Sequence, residues 1–303
     1  MQLGLIGLGR MGGNMARRLR RGGIAVVAWD RTAAVATGLA AETGLEAAGD
    51  LAALVTALQP PRRLWLMLPA GDATEHVLTE LLPLLAPGDL LVDGANAHYR
   101  DSQRRARDCA TRGVGFVDAG VSGGVWGLDN GYALMFGGEA AAIAALHPAI
   151  EVLAPAPDAG WLHCGPAGAG HFVKMVHNAI EYGMMQAFAE GFALLDARPE
   201  FGLDQAAIAE CWRHGSVVRS WLLDLIAEFL ADPAALDSVA PHVEDSGEGR
   251  WAVIEGVELG VPTPVIGLAL AARFASRGGD DFGHRLLALM RRGFGGHATR
   301  EPG

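Results

Sequence analysis

Apolar residues along the chain fall into two rhythms. From residue 1 to about 165, short apolar runs, LGLIG, AVVAWD, LWLMLP, LLVDGA, VGFVDAG and ALMFGG, alternate with helix-length stretches at 11–21, 73–82, 101–112 and 140–153. Strands that are apolar on nearly every residue belong in a parallel sheet buried on both faces. This part of the chain therefore predicts a doubly wound α/β domain. After about 165 the strand-like runs stop. Apolar positions then recur at helical period through 168–195, 203–214, 216–230, 250–259, 264–276 and 281–292, with breaks at PAPDAGW and DARPEFG. The expected organisation is an α/β domain over 1–165 and an all-helical domain over 166–303.

Composition narrows the class. A chain of 303 residues suits two domains, and 50% hydrophobic residues can build sizeable cores. Lys+Arg 24 against Asp+Glu 34, a net charge of −10, argues against a nucleic-acid partner, because phosphate-backbone affinity comes from clustered cations. Cys109, Cys164 and Cys211 are too far apart in sequence for a zinc or redox pair, and read as reduced thiols of a cytoplasmic protein without a metal site. The opening MQLGLIGLGRMG lacks the basic and apolar regions of a signal peptide, and no stretch is long and apolar enough for a membrane span, so no membrane partner is expected.

Gly7-Leu8-Gly9-Arg10-Met11-Gly12 follows the first strand directly and opens a helix. In that context the three glycines have separate duties: a tight turn at Gly7, close backbone approach to a pyrophosphate at Gly9, and helix–strand contact at Gly12. The helix N-terminus adds donors and partial positive charge. The next strand ends in Asp30, placed to accept from an adenosine ribose. The first domain is thus expected to be of Rossmann type and to bind NAD; Arg31, next to Asp30, leaves NADP open. Leu68 and Pro69 at the end of LWLMLP, and Asn96 after LLVD, complete the expected cofactor contacts.

The catalytic signal is a count. Of 24 basic residues 23 are arginine, and the only lysine is Lys174. An arginine cannot deprotonate near neutral pH, whereas a buried lysine amine can, so a sole lysine points to work that only an amine does. Read as a helix, 168–195 puts Lys174, His177, Asn178, Glu181, Tyr182 and Met185 on one continuous face. Polar groups of five kinds on one side of so apolar a helix predict an inward-facing active site.

The segments GLGRMGGNMA, DGANAHYRDS, DAGVSGGVWG, KMVHNAIEYGMMQ, EDSGEGRW and RRGFGGH, in this order, resemble the decarboxylating 6-phosphogluconate dehydrogenases, in particular their short bacterial form. His177-Asn178 and Glu181-Tyr182 behind the lysine set this resemblance apart from the wider β-hydroxyacid dehydrogenase group. It implies that Lys174 is the general base toward the 3-hydroxyl of the sugar acid and that Glu181 protonates C1 after CO2 has left. It also implies substrate contacts from Asn96, Ser122, Gly123, Gly124, His177, Asn178 and Tyr182, and phosphate contacts from Arg250, Arg273, Arg291 and His297. Arg250 stands where many members carry lysine. The resemblance further implies a homodimer or homotetramer in which the terminal RRGFGGH reaches a neighbouring subunit.

Two other readings remain at this point. A dehydrogenase of the 3-hydroxyisobutyrate type would stop at the oxidised acid, and would differ at Glu181 and at Arg291 and His297. A catalytically silent nucleotide-binding sensor would keep the first domain, but leaves the sole lysine and its polar helix face unexplained. Across 284–303, Arg285, Arg291, Arg292 and Arg300 face only Glu301, a cationic island in an acidic chain that an anionic phosphorylated sugar acid would explain.

Overall fold

The computed structural model describes residues 1–232, 234–276 and 282–300; Asp281 and Glu301 lie outside them. The chain forms two compact units, Met1–Lys174 and Met175–Gly303. In the first, strand and helix alternate as β1 (Gln2–Ile6), α1 (Arg10–Arg21), β2 (Ala25–Trp29), α2 (Ala33–Thr43), β3 (Glu46–Ala47), α3 (Leu51–Ala57), β4 (Arg63–Leu66) and α4 (Asp72–Leu81). There follow β5 (Leu90–Asp93), α5 (Tyr99–Ala110), β6 (Gly115–Ser122), α6 (Gly127–Asn130), β7 (Ala133–Gly138), α7 (Ala140–Ala144), α8 (His147–Leu153) and β8 (Trp161–Gly165).

The eight strands form one sheet in the order β3-β2-β1-β4-β5-β6-β7-β8. Strands β1 to β6 are parallel, β7 runs antiparallel to β6, and β8 is parallel to β7. Successive residues feed opposite cores: Leu3, Leu5 and Trp65 join one cluster with Met15 and Leu19 of α1, while Ile6, Leu64 and Leu66 join another with Leu54 of α3 and Leu78 of α4. Both faces are covered, as the unbroken apolar strands required. Because β1 to β6 run the same way, the segments after β1, β4, β5 and β6 all leave one edge of the sheet. Open α/β sheets bind ligands at that edge, where the strand order reverses beside β1.

Several details differ from the sequence expectation. The stretch 140–153 is two helices, because Pro148 in the first turn of α8 cannot continue the preceding helix. The Ala-rich α2 has little contrast between its faces, and β3 is two residues long, so neither announces itself by periodicity. The short, half-exposed β8 reads as loop because it lies at the sheet edge.

The long helix α9 (Ala169–Asp196) runs from the first unit into the second. It is followed by α10 (Gln205–Arg213), α11 (Trp221–Leu230), α12 (Glu248–Leu259), α13 (Pro264–Ala275) and α14 (Phe282–Gly295), and no strand follows Gly165 among the described residues. Helix α11 starts five residues later than its apolar period suggests, where the Ser220 hydroxyl accepts from Leu223 N at 3.3 Å and caps it. Met185, Ala189 and Phe192 of α9 meet Leu222, Leu223 and Ile226 of α11 and Leu286, Leu287 and Met290 of α14 in one core. No described helix is long and apolar enough to cross a membrane.

Candidate active site

The glycine turn after β1 has the geometry its spacing demands. Gly7 has φ +89°, and a Cβ there would stand 2.5 Å from Met67 O; a Cβ on Gly12 would stand 2.0 Å from Gly7 O. At Gly9 a Cβ would meet nothing within 4 Å. Two glycines are thus needed for close backbone contact, and the third opens a cradle at the N-terminus of α1, whose first turn carries no acidic residue. A pyrophosphate fits these residues. The Asp30 carboxylate accepts from Leu8 N at 2.8 Å and from Thr32 N at 2.9 Å, so it also braces the turn beside which a ribose would lie. Arg10 and Arg31 are exposed, Met11 and Leu68 half-buried, and the exposed Pro69 is held through its carbonyl by the Thr74 hydroxyl at 2.8 Å.

Asn96 occupies the left-handed region, φ +50°, unusual for a residue with a side chain. Its amide spans to the neighbouring strand: Nδ2 donates to Val121 O at 3.1 Å, and Oδ1 accepts from Val121 N at 2.9 Å. Asn96 therefore clamps the loop after β5 to the end of β6, where Ser122, Gly123 (φ +134°) and Gly124 (φ +53°) turn the chain.

Lys174 is 5% exposed and lies against β6. A Cβ on Gly120 would come within 2.5 Å of Lys174 Cβ, and one on Gly170 within 2.6 Å of Asp118 O, so glycines on both elements bring helix and strand together. Asp118, fully buried in β6, accepts from Gly168 N at 2.6 Å and from His171 N at 2.8 Å, capping the first turn of α9. The Ser102 hydroxyl meets His171 Nδ1 at 2.7 Å and secures the same turn to α5.

Further along α9, His177 Nδ1 is 2.9 Å from Asn178 Oδ1 and 4.0 Å from Glu181 Oε2. Tyr182, 3% exposed, accepts from Ser246 N at 3.2 Å and donates to Asp245 Oδ1 at 3.2 Å. Its ring lies under Arg273, with the guanidinium carbon 3.2 Å from the ring centroid. Arg273 is 2% exposed and Arg291 6%, and neither forms an ion pair with a carboxylate among the described residues. Burial pushes Arg273 down to about 10, with Arg291 adding to the shift, and burial lowers Arg291 as well. A buried pair of guanidinium groups of this kind calls for an anion.

Arg250 is placed differently. It is half-exposed, pairs with Asp245 at 2.8 Å and stacks on the Phe274 ring. Burial would raise the Asp245 carboxyl, but Arg250 and Gly247 N outweigh it and hold the group below its ordinary value. Arg250 thus has a carboxylate partner that Arg273 and Arg291 lack among the described residues. His297 packs edge-on to Phe294 at 5.8 Å, beyond α14. Within one chain, therefore, Tyr182, Arg273 and Arg291 come together.

Residues 2–164 match the NAD binding domain of 6-phosphogluconate dehydrogenase, and residues 170–282 match the C-terminal domain of the same enzyme. The chain belongs to the 6-phosphogluconate dehydrogenase family. It is 45% identical to an NAD(+)-dependent, decarboxylating 6-phosphogluconate dehydrogenase of Haloferax volcanii, over 98% of both chains. It is also 40% identical to a putative 6-phosphogluconate dehydrogenase of Bacillus subtilis, over 99% of this chain and 100% of that one. Among solved structures, the Plasmodium falciparum 6-phosphogluconate dehydrogenase superposes with a TM-score of 0.83 at 27% identity, covering 95% of this chain and 70% of that one. A Mycobacterium tuberculosis 3-hydroxyisobutyrate dehydrogenase, 24% identical with a TM-score of 0.73 over 95% of this chain and 98% of that one, shares the fold.

Against this family background, Asp118, Gly120, Gly170 and Asp245 are the supports that sequence reading missed. Asp118 left a signal: a carboxylate inside the apolar run VGFVDAG must find donors once buried, and the nearest helix start supplies them.

Proposed function

We propose that this chain oxidises and decarboxylates 6-phospho-D-gluconate to D-ribulose 5-phosphate and CO2 with NAD as electron acceptor. The observation that carries the reading is the helix α9, which presents the sole lysine, buried against a glycine of β6, and a glutamate seven residues later on the same face. Two turns of helix separate Lys174 from Glu181, about 10 Å along the axis. That spacing suits a base and an acid acting on different carbons of one extended substrate.

Lys174, neutral at the outset, takes the proton of the 3-hydroxyl on Nζ. Bound NAD supplies the hydride acceptor. The β-keto acid then loses CO2 without a metal or Schiff base, and Glu181 delivers a proton to C1 of the enediol. Each positioned group contributes a factor of about 10²–10⁴. Asn96, Ser122 and the following glycines, with His177 and Asn178, orient the hydroxyls and carboxylate. Arg273 and Arg291 bind the phosphate, with Tyr182 stacked under Arg273; His297 and Arg250 are assigned supporting places.

Asp30 accepts from the ribose hydroxyls and repels a 2′-phosphate, which supports NAD over NADP. The phosphorylated sugar acid fits a cytoplasmic enzyme. A homo-oligomer is supported by the exposed apolar stripe Val173, Val176, Ile180, Met184 and Leu194 on α9, which recurs every three, four or ten residues on one side. Steady-state assays with 6-phosphogluconate and either NAD or NADP, with CO2 measured, test the reading. Turnover of 3-hydroxyisobutyrate without CO2, and none of 6-phosphogluconate, would replace it.

A further inference from the structure

Beside the loops that carry Pro69 and Asn96 lies a group of charges, two of them buried, for which the proposed reaction has no use. Arg105 of α5 is 2% exposed, and Asp93, the last residue of β5, is wholly buried. The guanidinium is divided between two carboxylates: Nη1 donates to Asp93 Oδ2 at 2.5 Å, while Nε and Nη2 donate to Glu75 Oε1 at 3.0 and 2.6 Å. Arg104 adds a second cation on Glu75. Desolvating such charges is costly, and an apolar trio of similar volume commonly folds as well, so stability is a poor reason to keep them.

Direction is what an apolar trio would lose. Asp93 Oδ1 accepts from Ala95 N at 3.1 Å and forms the turn that delivers Asn96 in its left-handed conformation. Asn96 then grips Val121, one residue before Ser122. On the other side, Glu75 belongs to the first turn of α4, and its neighbour Thr74 holds the Pro69 carbonyl. One guanidinium thus joins the segment after β4 to the segment after β5, both at the sheet edge beside the glycine turn.

We propose that Arg105 is a positioning residue for cofactor binding: through Glu75 and Asp93 it holds segments 67–71 and 94–98 in one mutual register. The proposal rests on the reading of those segments as cofactor contacts. Lysine preserves the charge of Arg105 but lacks the fork needed to hold two carboxylates in fixed directions.

The test is NADH binding, followed by fluorescence in the absence of substrate, for the wild type and Arg105→Lys, with thermal unfolding alongside. The expected result is a folded variant whose NADH Kd is raised about tenfold and whose kcat/KM falls about 10- to 100-fold. Asn96→Ala should then cost much less in the Arg105→Lys background than in the wild type, because both changes act on the same loop. Should Arg105→Lys fail to fold, Glu75→Gln, whose native side chain is 37% exposed, serves instead and should raise the NADH Kd in the same direction. An NADH Kd unchanged in the folded variant, with only the melting temperature lowered, overturns the proposal and leaves the cofactor reading standing. A wild type that binds no NADH overturns both.

Discussion

Lys174 shows how a single side chain acquires a role from its surroundings. Its stem lies against Gly120, where any side chain would collide with it, and the residue is 5% exposed. Lys174→Arg keeps the charge and the stem but cannot give up its proton, so kcat should fall by at least about 10²-fold while NADH affinity and the circular dichroism spectrum stay unchanged. Near-normal kcat would exclude the base assignment. At Asp30 the structure adds a second duty, since the carboxylate also accepts from Leu8 N and Thr32 N. Asp30→Ser should therefore move the ratio of kcat/KM values toward NADP and also weaken NAD binding, because the glycine turn loses its brace. A ratio that stays with NAD would show that Asp30 does not select the cofactor.

Among the elements, α9 depends on its first turn. Asp118 satisfies two buried N–H groups there and places a negative charge at the positive end of a 28-residue helix. Asp118→Ala should cost about 2–4 kcal/mol of stability in urea unfolding, from orphaned donors and the lost cap. A loss below about 0.5 kcal/mol, the level of an ordinary surface change, would mean that water replaces the carboxylate. At the start of α12, the Asp245 carboxyl is held below its ordinary value of 3.8, so its contribution to stability is complete above that pH. It is lost as the pH falls through the lower value of the folded state. Between about pH 5 and pH 3 the urea midpoint of the wild type should drop more steeply than that of Asp245→Asn. Parallel curves would show that the Arg250–Asp245–Tyr182 contacts do not contribute.

For the whole molecule, the exposed apolar stripe on α9 and the location of the terminal arginines bear on assembly. Ile180 is 54% exposed and Leu194 72%, which is costly for a monomer in water. Ile180→Glu should reduce the mass found by light scattering toward that of one chain, 31.6 kDa. The resemblance implied that the terminal segment serves a neighbouring subunit; within one chain, Arg291 stands near Tyr182 and Arg273. Mixed oligomers of Arg291→Met and Lys174→Ala chains should therefore show no activity beyond the sum of the parents. Restored activity would mean that Arg291 crosses between subunits.

The two-part architecture, the glycine turn and the polar face of α9 could all be read from residue order, because each depends on a pattern along a single element: unbroken apolar runs, a period of 3.6, and three glycines between a strand and a helix. Asp30 stood out by its place at a strand end, Lys174 as the only lysine and Glu181 through the family resemblance. Folding was needed to reveal Asp118 under the α9 N-terminus, the Asn96 clamp on Val121, the Arg105 fork and the separate fates of Arg250 and Arg291. These are pairings between residues 25 to 53 positions apart or more, or between one arginine and whichever carboxylate the fold brings near. No local pattern ranks one arginine among 23 above another. Which of them is buried with no carboxylate partner among the described residues, and so left for an anion, follows only from the packing of α9, α13 and α14 around Tyr182.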